Sequence, residues 1–426
     1  MKRKLRIAIN AQIPSGSGAG GIETVLRVLT LLNRFDGDEE YVFIGHWSDS
    51  DWLKMLLSGR QTIVRAPPPE KQQPNQTETF KRILGPLRPL ARNIKRLIMP
   101  PPKVNISVPV SDGFYESLNC DVVHFPYQDY VHCRVPTVYN PHDLQHLHYP
   151  EFFAPEEIQR REIVYPAACR AAHTVVVASQ FVKQDVTQRY GISADKIQVV
   201  PWSPPETASN EFIEKDVGSL FEKYGCPPHP FILYPAMTWE HKNHIRLLEA
   251  VHLLREREKL KVNVICTGHK NAFYPRIEQR LDELKLNEQV KFTGVVTSEE
   301  LSILYRRAQF VIIPTLFEAA SAPLFEAWQH GVAVACSSVT SLPEQASGAA
   351  LLFDPLSVEE IADAVKTLAT DENIRADFRS RGFKRLQNFD MERTLKSYRA
   401  VYRRAAGAEL NSEDRHLLNW DWMRDS

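Results

Sequence analysis

Short runs of β-branched and other apolar residues alternate with longer segments of helical period along most of this chain. Runs so short and so uniformly apolar belong to strands covered on both faces by helices, which is the condition of a parallel sheet. In the first half the predicted strands fall at residues 5–10, 41–45, 122–125, 137–140, 174–178 and 197–200; in the second half they fall at 231–235, 262–266, 290–293, 310–314, 332–336 and 350–353. The pattern predicts an α/β protein of two doubly wound, Rossmann-like halves. At 426 residues the chain is also too long for one ordinary core. The proline-rich polar stretch VVPWSPPETASN separates the halves. The expected domains are therefore residues 1–205 and 206–390, followed by a helix over 391–405 and a tail to 426 without clear period.

Charge excludes one class of partner. Lysine plus arginine equals aspartate plus glutamate at 52 each, so no global field draws the chain to nucleic acid. Cys120, Cys133, Cys169, Cys226, Cys266 and Cys336 lie far apart with no C-x-x-C pair, which fits neither a metal knuckle nor a disulfide framework. A reducing, cytoplasmic setting follows, and MKRKLRIAIN is too short and too soon polar for a signal peptide or a membrane span. Residues 81–103 have a different texture: Leu87, Leu90, Ile94, Leu97 and Ile98 share one helical face, and no acid interrupts the basic residues around them. An ordinary surface helix is the default for such a run. Peripheral attachment to an anionic membrane, at its inner face, is the alternative.

Between the first strand and the first helix, IPSGSGAGGIETVL spells G-x-G-x-x-G from Gly16 to Gly21. Ile22, Val25, Leu26, Leu29 and Leu32 keep helical spacing, so Gly20 and Gly21 stand at a helix start. Unpaired N–H groups and the positive dipole end suit an anion there. A turn that merely relieves sterics is the alternative. For a dinucleotide, the first glycine should follow the strand directly and an acid should end the second strand. Five residues intervene here, and Asp49 comes late. A phosphate remains the favoured ligand, with its owner open.

The second half adds two carboxylates. Glu318 is expected in the loop leaving the strand QFVIIP, and Glu326 stands eight positions on, after Pro323. Proline suits a first helical position, which makes Ala322 the expected cap and places Glu326 near the end of the first turn. Both carboxylates are expected at the crevice beyond the carboxyl ends of the strands. Alone, Glu326 reads rather as a first-turn acid complementing a helix dipole.

In combination these stretches resemble the retaining GT-B glycosyltransferases of family GT4. GGIETVL, YNPHDLQHLHYPEFF, VVVASQFVKQDV, FILYPAMTWEHKNHIRLLEAV, GHK, VKFTGVV, the E-x7-E pair, HGVAVACSSVTSLPE and ALLFDPLSVEEIADAV carry the resemblance, in order and almost end to end. It implies two Rossmann-like domains facing a central cleft, with a C-terminal helix crossing back to the first. It implies a nucleotide-diphosphate sugar donor held mainly by the second domain, a glycan or lipid-linked glycan acceptor, and no metal or other cofactor. By the resemblance, Glu318 touches the donor sugar, Glu326 the ribose, and Lys242 the diphosphate. The backbone of Ala319, Ala320 and Ser321 lines the donor. Gly20 and Gly21 approach the phosphates from the first domain, and His142 lies near the reacting carbon. A neutral His142 is expected to donate to the sugar, with Asp143 fixing its tautomer if the chain folds back. His124 is a weaker candidate, or a satisfied core histidine.

The sequence departs from the family at several points. Ala319, Ala320 and Ser321 stand where relatives carry a glycine-rich E-G-F-G, Ala236 stands where many carry a second phosphate-binding arginine, and Trp202, Ser203 and Pro204 replace the usual linker motif. Asp49-Ser50-Asp51 has the D-x-D form that holds a divalent metal in an unrelated transferase fold. Two alternatives follow: an NAD-dependent sugar-modifying enzyme using the glycine loop, and a catalytically silent glycan-binding relative.

Overall fold

In the computed structural model, strand order reverses once in each of two parallel sheets. The structure describes residues 4–14, 20–35, 37–68, 106–204, 216–225 and 230–422. The glycine-loop positions Gly16 and Gly18, the segment 81–103 and the expected boundary at 205–206 lie outside them.

The first sheet contains β1 (Arg6–Ala11), β2 (Glu40–Gly45), β3 (Gln61–Arg65), β4 (Val122–Phe125), β5 (Thr137–Tyr139), β6 (Thr174–Val177) and β7 (Ile197–Val199), ordered β3-β2-β1-β4-β5-β6-β7. The second contains β8 (Ile232–Pro235), β9 (Val264–Thr267), β10 (Val290–Gly294), β11 (Phe310–Ile313), β12 (Ala333–Ser337) and β13 (Leu351–Phe353), ordered β10-β9-β8-β11-β12-β13. All named pairs are parallel, for example Ile7 with Val122 and Val311 with Leu233. The chain crosses from one side of each sheet to the other between β1 and β4, and between β8 and β11.

Alternation explains why these strands sit in the middle. Ile7 and Ile9 of β1 pack with Val25, Leu26, Leu29 and Leu32 on one face, while Ala8 joins Phe125 and Tyr139 on the other. Both faces are buried, so the strand reads as a continuous apolar run. The strand β3 was not expected from the sequence. It pairs with β2 from Tyr41↔Gln61 to Gly45↔Arg65, but it is an edge strand whose Thr62 and Arg65 are exposed, so QTIVR lacks an uninterrupted apolar signal.

The helix Met391–Ala405 crosses back to the first domain. Leu395, Tyr398, Val401, Tyr402 and Ala405 enter the same core as Ile7 and Ile9. Polar groups fix its docking: Tyr402 Oη lies 2.9 Å from His124 Nδ1, His124 Nε2 lies 3.0 Å from Asn140 Oδ1, and Asn140 Nδ2 donates to Tyr398 Oη at 3.2 Å. With the asparagine oxygen accepting, Nε2 carries the proton and Nδ1 accepts from the tyrosine. His124 is thus a satisfied core histidine, and burial pushes its pKa down to about 3. The tail contains a further short helix, Ser412–Leu418, opened by a capping box of Asn411 and Asp414, and Trp422 is buried against the first domain's other core cluster. Seven residues are too few to show a period, although N-S-E-D carries the cap signal.

Replacing Tyr402 by phenylalanine leaves a buried imidazole nitrogen without its donor. A loss of about 1–3 kcal/mol is expected in urea unfolding of the first domain, with little change in the second.

Candidate active site

The second sheet turns at β8 and β11, and a charged pair joins the loops leaving those two strands. Lys242 Nζ donates to Glu318 Oε1 at 2.5 Å, with both side chains largely buried. Lys242 ends a short 3-10 turn, Glu240–Lys242, after β8, and its carbonyl accepts from Tyr234 Oη at 2.7 Å. Asn243 follows in the left-handed region at φ 61°, which asparagine tolerates better than most residues. Its Nδ2 donates to the carbonyls of Pro314 and Pro355, at 2.9 and 2.8 Å. One buried amide thereby ties together the loops after β8, β11 and β13. Gly268, after β9, closes the floor: at φ 115°, an added Cβ would lie 2.7 Å from the Ala236 carbonyl.

The loop holding Glu318 is pinned from behind. Glu318 N–H donates to Thr340 Oγ1 at 3.0 Å, and Ser341 Oγ donates to the Glu318 carbonyl at 2.9 Å. Ser321 N–H donates to Gln345 Oε1 at 3.1 Å, so that amide is already engaged. Ala320 is buried, and Ala319 packs against the first domain's core. The helix that follows is Ala322–Gln329 with Ser321 at the cap position, one residue earlier than expected, and Pro323 is its second residue. Glu326 consequently lies past the first turn. It is held by the neighbouring helix Ser298–Arg307, where Tyr305 Oη donates to its Oε2 at 2.6 Å, and burial raises its pKa. His330 stacks on Tyr305 with ring centroids 5.0 Å apart and pairs with Ser302.

At the turning point of the first sheet, the helix Gly20–Thr30 starts with the two expected glycines beyond the end of β1. His142, after β5, sits at φ 64° where Asp143 N–H bonds back to the Pro141 carbonyl at 2.9 Å, a tight γ-turn of the rare, strained hand. Its Nε2 lies 2.8 Å from the Pro126 carbonyl in the loop after β4. A carbonyl only accepts, so Nε2 carries the proton and the neutral ring offers Nδ1 as an acceptor. This corrects the expectation that His142 donates. Burial lowers its pKa and favours that neutral form. Asp143 does not fix the tautomer either: its Oδ1 accepts from Gln145 N–H at 3.0 Å and faces Arg161 at 3.8 Å.

The remaining motifs are absorbed locally. Asp51 opens the helix Asp51–Lys54 and faces Arg65 at 3.5 Å, while Asp49 accepts from Asp51 N–H. Strand β2 ends at Gly45 and is followed by His46 and Trp47, so no acid stands where a dinucleotide ribose needs one. Among the described residues, no group of three or more histidine, cysteine, aspartate or glutamate side chains is placed to hold a metal ion.

The two domains touch through residues beside the Glu318 loop. Phe317 packs against Phe181 and His148, with centroids 6.0 and 5.3 Å apart. Glu344, two residues beyond the start of the helix Leu342–Ala346, accepts from the backbone N–H groups of Gln180 and Phe181 at 2.9 and 3.2 Å, at the start of the first domain's helix Gln180–Tyr190. Sequence reasoning assigned Glu344, Thr340, Ser341, Asn243 and Tyr305 no individual role. Each acts through contacts distant in sequence; the stretches that carry the family resemblance run past Asn243, Thr340, Ser341 and Glu344 without singling them out, and do not reach Tyr305.

Against this geometry, a family model described as Glycosyl transferases group 1 matches residues 220–385, and one described as Glycosyltransferase Family 4 matches residues 20–202. The chain belongs to the family 4, group 1 glycosyltransferases. One relative of this glycosyltransferase is the O-antigen chain mannosyltransferase B of Escherichia coli, 24% identical over 355 residues that span 81% of this chain and 90% of the relative. Similar solved structures include Anabaena HepE in complex with UDP and glucose, with a TM-score of 0.64 at 15% identity over 93% of this chain and 99% of that one. WaaG, a glycosyltransferase involved in lipopolysaccharide biosynthesis, gives a TM-score of 0.61 at 14% identity with the same coverage. At those identities the likeness is one of fold, the GT-B arrangement of two Rossmann-like domains. No helix among the described residues of this glycosyltransferase is long and apolar enough to cross a membrane.

Burial raises the Glu344 carboxyl to about 7 from its ordinary 4.5, against the two N–H groups and Arg385, which favour the charged form. An acid raised on folding contributes stability that is fully present below the unfolded value and is lost as pH rises through the folded one. Between about pH 5 and 8 the melting temperature of the native protein should therefore fall relative to that of Glu344→Gln. A difference in Tm that stays constant over that range contradicts the assignment.

Proposed function

We propose that this glycosyltransferase moves a sugar from a nucleoside diphosphate donor to a hydroxyl of a glycan or lipid-linked glycan, with retention of anomeric configuration. The observation that carries the reading is the Lys242–Glu318 pair, set where the second sheet turns, beyond the carboxyl ends of β8 and β11. Open α/β sheets bind ligands at such points. Transfer builds negative charge on the departing diphosphate, and a fixed ammonium stabilises that charge more in the transition state than in the ground state. Lys242 supplies the ammonium. The helix start at Gly20 and Gly21 supplies N–H donors from the other domain.

Glu318 has two tasks in this scheme. Its Oε1 orients Lys242, and its other oxygen accepts from a hydroxyl pair on the donor sugar. Glu326, with Oε2 engaged by Tyr305, offers Oε1 to the ribose. His142 presents Nδ1 as an acceptor to a sugar hydroxyl. No side chain is assigned as general base: the departing phosphate takes the acceptor's proton on the face from which it leaves, which yields retention. Domain closure excludes the water that would hydrolyse the donor.

The relative named for O-antigen chains supports a place in polysaccharide assembly, and its name makes mannose the first sugar to test. A cytoplasmic enzyme held at an anionic inner membrane face by residues 81–103 completes the reading. Cosedimentation with liposomes that rises with anionic lipid is expected, and binding indifferent to lipid charge removes that part.

Because Lys242 and the helix start provide the positive charge, transfer should persist in excess EDTA. Glu318→Gln should lower turnover by about 100-fold or more while leaving the melting temperature nearly unchanged. A panel of UDP, GDP, ADP and dTDP sugars, read by product formation and thermal shift, identifies the donor. Near-native turnover by Glu318→Gln overturns the assigned role, and ligand binding without turnover by the native chain favours a silent relative.

A further inference from the structure

The backbone of Glu318 is held by two consecutive side chains, and one of them sits in an unfavourable conformation. Thr340 has φ 53°, in the left-handed region where a β-branched side chain is a rare outlier. Such strain costs on the order of 1–3 kcal/mol and persists only where surrounding contacts over-determine it. The contact here is specific: Thr340 Oγ1 accepts the N–H of Glu318 at 3.0 Å. The next residue, Ser341, is fully buried and donates its hydroxyl to the Glu318 carbonyl at 2.9 Å. The Glu318 N–H thus ends on the Thr340 hydroxyl and its carbonyl on Ser341, whose hydroxyl and N–H (3.4 Å) both donate to it, 22 and 23 residues away beyond β12 rather than on a strand ladder or a helix. The neighbouring Thr315 bonds to the carbonyls of His241 and Phe317, at 3.1 and 3.0 Å, and joins the same loop to the turn that carries Lys242.

We propose that Thr340 is a positioning residue for transfer: its hydroxyl, held in place by a strained backbone, sets the peptide of Glu318 and through it the carboxylate that meets Lys242 and the donor sugar. Valine at this position keeps shape and β-branching and loses the acceptor. The Glu318 N–H is then left without its partner, and the carboxylate shifts relative to the ammonium. Displacements of about 1 Å at a reacting centre cost up to about 100-fold in rate. Serine keeps the hydroxyl with less steric strain. Glycine removes the strain and the hydroxyl together, which separates the two effects.

The proposal rests on the transfer reading above, and the test separates the two. With the donor found in the panel, Thr340→Val should lower kcat by about 10- to 100-fold with little change in the KM for donor. Thr340→Ser should stay within a few-fold of the native enzyme. Thr340→Gly should melt at or above the native temperature and still lose kcat. Amide hydrogen exchange at Glu318 supplies a readout independent of turnover: it should accelerate in the valine and glycine variants and not in the serine one. Native kcat in the valine variant, or equal losses in valine and serine, overturns the proposal. So does unchanged exchange at Glu318 in the glycine variant, which also decides the matter if the valine variant fails to fold. A native chain that transfers no sugar, yet shows the expected exchange pattern, sinks the transfer reading and leaves the positioning of Glu318 standing.

Discussion

The contact between Lys242 and Glu318 depends on nearly every level of this structure. The two residues lie 76 positions apart, and neither belongs to a strand or a long helix. They meet because β8 and β11 are neighbours in the second sheet although other strands separate them in sequence. That adjacency is a product of the doubly wound connection, in which the chain returns to the middle of the sheet before building outward again. Burial then sharpens the interaction, since an ammonium and a carboxylate removed from bulk water act on each other and on a ligand more strongly than at the surface. A parallel sheet supplies the rigid base and the loops supply the chemistry.

The supports of this pair are mostly bonds from side chains to backbone. Asn243 holds two proline carbonyls, Ser341 holds the carbonyl of Glu318, Thr340 holds its N–H, and Gln345 holds the N–H of Ser321. The segment from Thr340 to Gln345 thus carries both the loop beside the ammonium and, through Glu344, a contact with the other domain. Where relatives place flexible glycines after the first glutamate, Ala319, Ala320 and Ser321 are packed or hydrogen-bonded.

Periodicity and composition made the architecture legible, because a buried parallel strand must be apolar on both faces and its covering helix must repeat near 3.6 residues. Ile7 to Ile9 and Phe310 to Ile313 show this plainly. Edge position defeated the same reasoning at β3, where half the strand faces solvent. The helix start at Gly20 was legible from its apolar spacing, while the tail helix Ser412–Leu418 was too short. At the site, Glu318 and Lys242 entered through resemblance, since surface lysines and helix-associated acids are common. Thr340 and Ser341 lie within the stretch HGVAVACSSVTSLPE, but their hold on Glu318 was not legible there: a side-chain bond spanning 22 residues has no period and no composition. The tautomer of His142 was misread because it depends on the Pro126 carbonyl, whose approach only the folded loop reveals.

The return of the helix Met391–Ala405 to the first domain has a consequence for how this chain comes into being. Tyr398, Val401 and Tyr402 complete a core whose other walls, Ile7, Ile9 and Leu26, are made well before them. During synthesis the leading half must wait, with an uncovered greasy flank, until the ribosome has delivered everything in between. Chaperone occupancy should concentrate on that half, and a premature stop near the far end would harm the beginning of the molecule more than the region next to the cut.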